Sequence, residues 1–118
     1  MDQIEQLAKA ALMRDPLKLR SLTQDLTRSK MDFGKAARPT TSDVRLLAMS
    51  AALVELLAAR NKQTPPAWTK EIGAFPEPFF LLKSATTMKR LRILCEKESP
   101  EPMRKRHLYA PPHFLEFA

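Results

Sequence analysis

Positive charge is concentrated between residues 83 and 106, where eight lysines and arginines stand against three glutamates and leave a net charge of +5. Arginine side chains bind phosphates and carboxylates through paired hydrogen bonds. A histidine and a tyrosine follow directly, and such rings can stack on nucleic-acid bases. The pattern predicts a surface that binds an anionic partner. Its predicted contact residues are Lys89, Arg92, Arg104, Lys105, Arg106, His107 and Tyr109.

Other interpretations of the same cations stay open. A solvated helix face followed by a basic turn has this composition too, and one arginine within it can pair with Glu98 and stabilise the turn. The partner can be an acidic protein surface or a nucleic acid, and phosphate contacts would make affinity fall steeply with salt. No helix-turn-helix is recognisable, because a short glycine-containing turn before a polar recognition helix is missing.

Catalysis and metal binding are not indicated. Cys95 falls on the apolar stripe of a predicted helix, where it behaves as a small hydrophobic residue. His107 and His113 stand six residues apart, which is not the ligand spacing of a structural zinc site. The only two glycines, Gly34 and Gly73, cannot form a phosphate-binding glycine loop. We therefore predict a protein that is not an enzyme and has no cofactor or metal.

Composition limits the class of protein. With 118 residues, the chain has the length of one domain, so we expect residues 1–118 to form a single helical domain. The net charge of +7 favours anionic partners. A single cysteine excludes an intrachain disulfide, and no run approaches the roughly 18 apolar residues of a membrane span. Together with a polar, acidic start, this predicts a cytoplasmic protein without membrane contact, of undetermined oligomeric state.

Apolar residues recur at helical spacing in four segments, and glycines and alternating β-branched residues, which would favour sheets, are scarce. We therefore predict a compact all-α fold. The first two helices meet at Asp15-Pro16, an N-cap followed by a proline, and are expected to form a hairpin. The predicted helices cover about residues 3–13, 16–28, 43–61 and 85–97.

The third helix, at about 43–61, is apolar around most of its circumference, which is typical of a central helix. Thr41 or Ser42 is its predicted N-cap. The loop at 29–41 is expected to insert Phe33 into the core. A proline-rich irregular segment follows the helix, and we expect its Trp68 to pack against the central helix.

Three further expectations concern the C-terminal half. Glu77-Pro78 is expected to start a helical turn that continues through Leu82. Residues 114–117 are too apolar for a solvated terminus, so they either pack on the domain or insert into a partner. The fourth helix is expected to bury Met88, Leu91, Leu94 and Cys95.

Several motifs between residues 49 and 109 resemble the C-terminal portion of an uncharacterised family of small bacterial helical proteins. The run at 17–25 is similar too. In the last motif the family usually has phenylalanine, three arginines and asparagine, from which Met103, Lys105 and His107 depart. The matching segments are 52–60, 65–69 (Pro-Pro-Ala-Trp-Thr), 78–80 (Pro-Phe-Phe), 91–94, 98–100 (Glu-Ser-Pro) and 103–109.

Members of that family are often encoded beside nucleotidyltransferase-like toxins, and some carry a DNA-binding helix-turn-helix in front. The resemblance therefore implies an antitoxin-like or regulatory partner protein. We expect a protein-binding module that occludes the acidic rim of an active site, with residues 114–117 as an apolar anchor. The alternative is a nucleic-acid-binding transcriptional regulator that uses the same basic cluster. The cations expected to make the protein contact are Arg92, Arg104, Lys105 and Arg106.

Overall fold

The computed structural model describes residues 3–116, and its mainly helical architecture confirms the predicted all-α class. Within this range the chain forms five α-helices, two strands of two residues each, and three short 3₁₀ turns at Phe33–Lys35, Ala67–Glu71 and Lys83–Thr86. The helices are α1 (Gln3–Leu12), α2 (Pro16–Arg28), α3 (Val44–Arg60), α4 (Lys89–Glu98) and α5 (Glu101–Arg104), and the strands are β1 (Phe79–Phe80) and β2 (Leu108–Tyr109).

Helices α1 and α2 pack against each other as the predicted hairpin. Asp15 caps α2, because its carboxylate accepts a hydrogen bond from the Lys18 amide at 3.1 Å, and Pro16 occupies the first turn. The stripe that includes Ile4 and Leu7 is buried against α3, as the helical spacing predicts.

Helix α3 is the centre of the molecule. Every residue from Leu46 to Ala58 is buried, and the helix contacts α1, α5 and two of the 3₁₀ turns. Its N-cap is Asp43, whose carboxylate accepts from the Arg45 amide at 2.9 Å. The prediction of Thr41 or Ser42 as the cap is wrong, because the Thr41 hydroxyl instead accepts from the Asp43 amide at 3.1 Å and supports the cap from outside.

Aromatic residues attach the irregular segments to this core. Phe33 is 2% exposed, which confirms that it fills the core from the loop at 29–41. Trp68 packs against the core cluster, and its indole N–H donates to the carbonyl of Ala36 at 2.8 Å. The tryptophan therefore joins the proline-rich segment to the loop as well as covering the core.

The two strands form a parallel pair with Phe79 opposite Leu108 and Phe80 opposite Tyr109. The prediction of a helical turn from Glu77-Pro78 to Leu82 is therefore wrong. Pro76 and Pro78 favour extended backbone at the residues before them, Phe75 and Glu77, which lead into the strand, and aromatic residues suit strands. The pairing connects the segment after α3 to the segment after α5.

The C-terminal segment belongs to the core. Phe114 and Leu115 are 8% and 6% exposed and join the main hydrophobic cluster, while Arg60 donates to the carbonyls of Phe114 and Pro112. These residues pack on the domain, so the predicted role of 114–117 as an anchor in a partner is wrong for Phe114 and Leu115. Phe117 lies outside the described residues.

Candidate binding surface

Helix α4 and the residues after it carry the predicted contact residues, so its attachment decides which of them face solvent. Cys95 is fully buried in a small cluster with Phe80 and Ala85, and Leu91 packs against that cluster. Met88 is 56% exposed rather than buried, because the helix begins at Lys89 and the preceding residues form a 3₁₀ turn. One side of α4 is thereby attached, and the opposite side is free.

The end of α4 is attached through the buried hydroxyl of Ser99. Its oxygen lies within hydrogen-bond distance of two carbonyls, that of Cys95 in the last turn and that of Ala110 at 3.0 Å, which share its single proton. The amide of Ala110 lies 2.8 Å from the same oxygen. This reciprocal contact holds the helix against the strand β2 and sets its orientation.

Four residues on the solvent side of α4 define what we name the α4 face, namely Lys89, Arg90, Ile93 and Lys97. Their spacing of three and four residues places them together on one side of the helix. All four are exposed, and Ile93 retains 39% of its accessible surface. Among residues 3–116, no ion pair involves the three cations. The α4 face therefore presents uncompensated positive charge around an apolar residue.

Arg92 and Arg104 adjoin this face but are engaged within the chain. The Arg92 Nε lies 3.4 Å from a Glu96 carboxylate oxygen, and its guanidinium carbon lies 5.2 Å from the centre of the Phe80 ring. Arg104 donates to the carbonyl of Lys97 at 2.8 Å, where a cation also compensates the negative end of the helix dipole. Both side chains remain exposed, and Arg104 extends the positive charge at the end of α4.

Arg106 lies inside the protein, and the prediction that it contacts a partner is wrong. Its side chain is 4% exposed and donates to the carboxylate of Glu55 on α3 and to the carbonyl of Thr69 at 2.7 Å. Apolar surroundings make an unpaired charge costly, so Arg106 and Glu55 require each other. The prediction that an internal arginine pair involves Glu98 is also wrong, because Glu55 is the partner.

Lys105 approaches the same carboxylate from the surface. Its Nζ lies 3.0 Å from the Glu55 Oε1, and its side chain is half exposed. Burial acts to raise the pKa of Glu55, but hydrogen bonds from Arg106 and Lys105 outweigh it, so the pKa lies below its ordinary value. Glu55 is thus held ionised, and two of the predicted contact cations are neutralised by it in part.

The two predicted stacking residues, His107 and Tyr109, are placed differently. Tyr109 is half-buried, with its ring centre 5.3 Å from that of Phe80, so this face of the ring is already packed. His107 is exposed and has a positive φ of 62°. Its Nδ1 lies 3.3 Å from the carbonyl of Phe75. Neither ring lies on the α4 face, which reduces the number of predicted contacts gathered in one place.

The role of Glu55 was not predicted from the sequence. Arg90 and Lys97 were counted in the basic cluster but, like Ile93, were not among the predicted contact residues. Glu55 had a usable signal, because a single carboxylate inside a long apolar run requires a buried cation as its partner. Arg90 and Ile93 belong to the same helical stripe as Lys89 and Lys97, but that stripe becomes a surface only once α4 is packed on Phe80.

Cys95 and His113 are the remaining ionisable candidates of the sequence analysis. Cys95 is buried, as its position on the apolar stripe predicts, and burial raises the pKa of its thiol, with a further contribution from the negative charge of Glu96. His113 is exposed, and its Nδ1 lies 2.6 Å from Glu116. No three potential metal ligands cluster in the described part of the chain, and none of its helices is long and apolar enough to cross a membrane.

No protein-family model, curated protein sequence or solved structure matches this chain.

Proposed function

We propose that this chain is a non-enzymatic protein-binding module whose α4 face docks on an acidic surface of a partner protein. The observation that carries the proposal is a group of three exposed cations around the exposed Ile93 that form no ion pair with residues 3–116, namely Lys89, Arg90 and Lys97. Protein interfaces combine an apolar centre with a polar rim, and charge complementarity selects the partner and speeds association. The α4 face has both components.

A protein partner explains this face better than a nucleic acid does. Phosphate contacts require cations but no apolar centre, whereas Ile93 on the α4 face exposes 39% of its surface. Base stacking requires an aromatic ring beside the cations, and neither His107 nor Tyr109 lies on the α4 face. The exposed Ile93 on α4 therefore favours a protein interface.

The identity of the partner as a toxin rests on the family resemblance in the sequence. If the neighbouring gene encodes a nucleotidyltransferase-like toxin, its metal-binding carboxylates form an acidic rim that a cationic helix can occlude. The α4 face and the adjoining Arg104 take the role that the sequence had assigned to Arg106 and to residues 114–117. Arg106 and Phe114 contribute instead by holding the domain together.

Co-expression with the neighbouring gene product tests this proposal. Reversing two charges with Arg90→Glu and Lys97→Glu is expected to weaken the complex at least about tenfold, because two attractions become repulsions. The matched control reverses Lys35 and Lys62, two exposed lysines that lie outside α4, in the 3₁₀ turn at Phe33–Lys35 and in the turn after α3. Circular dichroism establishes that both double variants are folded.

Two outcomes contradict the proposal. The first is a complex that withstands the reversal on α4 as well as it withstands the control reversal. The second is binding of duplex DNA that weakens steeply between two salt concentrations and is lost in the α4 variant, which would assign the cations to phosphate contacts.

A further inference from the structure

A solvent-open cleft of about 710 Å³ lies between the start of α2, the 3₁₀ turn at Lys83–Thr86 and the C-terminal segment. Its volume falls within the roughly 300–1,000 Å³ of clefts that bind small organic molecules. The cleft is separate from the α4 face, and the function proposed above does not use it. Its chemistry is set by a group of apolar side chains and by two cations.

The apolar wall of the cleft is formed by Leu19, Leu81, Phe114 and Leu115, which all belong to the main hydrophobic core. Each is less than 10% exposed, so the core holds these side chains in place. An apolar group that enters the cleft would lose contact with water against a preformed surface. The wall therefore suits a hydrocarbon chain.

The charged residues of the lining are cations. Arg14 donates through Nε to the carbonyl of Phe80 at 2.8 Å, and its guanidinium carbon lies 4.4 Å from the centre of the Phe79 ring. These contacts fix the guanidinium and leave its terminal nitrogens without a hydrogen bond among the described residues. Lys83 is exposed and forms no ion pair with the part of the chain that the structure describes.

No carboxylate is among the residues that line the cleft within residues 3–116. His113 also lines the cleft. Its Nδ1 lies 2.6 Å from the carboxylate of Glu116, which lines a neighbouring depression instead. Positive charge at the cleft is therefore not compensated by the lining itself. An occupant that brings one negative charge next to an apolar body complements both parts.

We propose that this cleft binds an amphiphile with a single anionic headgroup, of the class of medium-chain carboxylates. The hydrocarbon chain lies along Leu19, Leu81 and Leu115, and the carboxylate faces Arg14 and Lys83. Arginine supplies directed hydrogen bonds to a carboxylate, and lysine supplies a mobile charge. The site binds its ligand without covalent chemistry and without a contribution from α4.

Titration of the isotopically labelled full chain with decanoate, followed by amide chemical shifts, tests the proposal. Saturable shifts are expected at Leu19, Leu81 and Leu115, and decyltrimethylammonium, with the same chain and the opposite charge, is expected to bind more weakly. Lys83→Glu should weaken decanoate binding roughly three- to tenfold, the effect of an exposed attraction turned into a repulsion. The matched control, Lys35→Glu, changes the net charge equally at a distant position and should leave the affinity unchanged.

A second variant, Thr87→Trp, fills the cleft from an exposed position on its rim and should abolish the saturable shifts while the remaining spectrum is retained. The proposal is overturned if decanoate produces no saturable shifts, or if the ammonium compound binds as tightly. It is also overturned if Lys83→Glu behaves like Lys35→Glu, or if Thr87→Trp leaves the affinity intact, since the ligand would then lie elsewhere.

Discussion

Replacing Arg106 with alanine is expected to destabilise the fold severely, although a basic triplet next to the C-terminus suggests a tolerant surface. The substitution leaves the ionised Glu55 buried, with a relative exposure of 6%, and removes the donor to the carbonyl of Thr69. Two partners of the Glu55 carboxylate remain, namely Lys105, at 3.0 Å and half exposed to water, and the side chain of Thr69.

The magnitude follows from this geometry. Removing one partner of a buried ion pair costs roughly 3–5 kcal/mol, because an uncompensated charge stays in the interior. Since Lys105 still compensates part of that charge, we expect a loss of about 3 kcal/mol, a large fraction of the roughly 5–15 kcal/mol that stabilises a domain. The double variant Glu55→Leu, Arg106→Met should have a free energy of unfolding within about 1–2 kcal/mol of the unmodified protein. The pair is costly to desolvate, and the Arg106 Nε has no hydrogen-bond partner within residues 3–116.

Urea unfolding monitored by circular dichroism and by the fluorescence of Trp68 measures these free energies. The control is Arg104→Ala, which removes an exposed cation of the same triplet and one hydrogen bond to the carbonyl of Lys97 at 2.8 Å, and should cost under about 1 kcal/mol. Equal losses for Arg104→Ala and Arg106→Ala would refute the burial of Arg106. A double replacement as destabilising as Arg106→Ala alone would refute the reasoning from an unpaired charge.

Two further predictions concern acid stability and capping. The pKa of Glu55 is depressed on folding, so its contribution to stability is present above its ordinary pKa of about 4.5 and is lost as pH falls through the lower folded value. The urea midpoint should therefore drop more between about pH 6 and about pH 3.5 in the original chain than in the Glu55→Gln variant. Equal drops in the two proteins would contradict this prediction. Asp43→Ala should cost about 1 kcal/mol by removing the cap of α3, whereas Ser42→Ala should change thermal stability little, and the reverse ranking would restore Ser42 as the cap.

The spacing of apolar residues was sufficient to predict α1, α2 and α3, because in these helices the residues at helical spacing are also the buried ones. Helices near 3–13, 16–28 and 43–61 end within one residue of the observed α1, α2 and α3, and the stripe around Leu7 and the fully apolar α3 are buried as predicted. Errors occurred where local preference was weak. The chain from Glu77 to Leu82 pairs with a distant segment, and a two-residue pairing leaves almost no periodic signal.

The composition and spacing of the chain determined its all-α class, its central helix, its buried cysteine and its excess of positive charge, because these properties depend on neighbours within a few residues. Tertiary structure alone decided which cations face solvent. Arg104 and Arg106 are two residues apart, yet one lies on the surface and the other meets Glu55, 51 residues earlier in the chain. Such long-range pairings follow from how α3, the strands and the C-terminal segment pack together, and no local pattern around residue 106 encodes them.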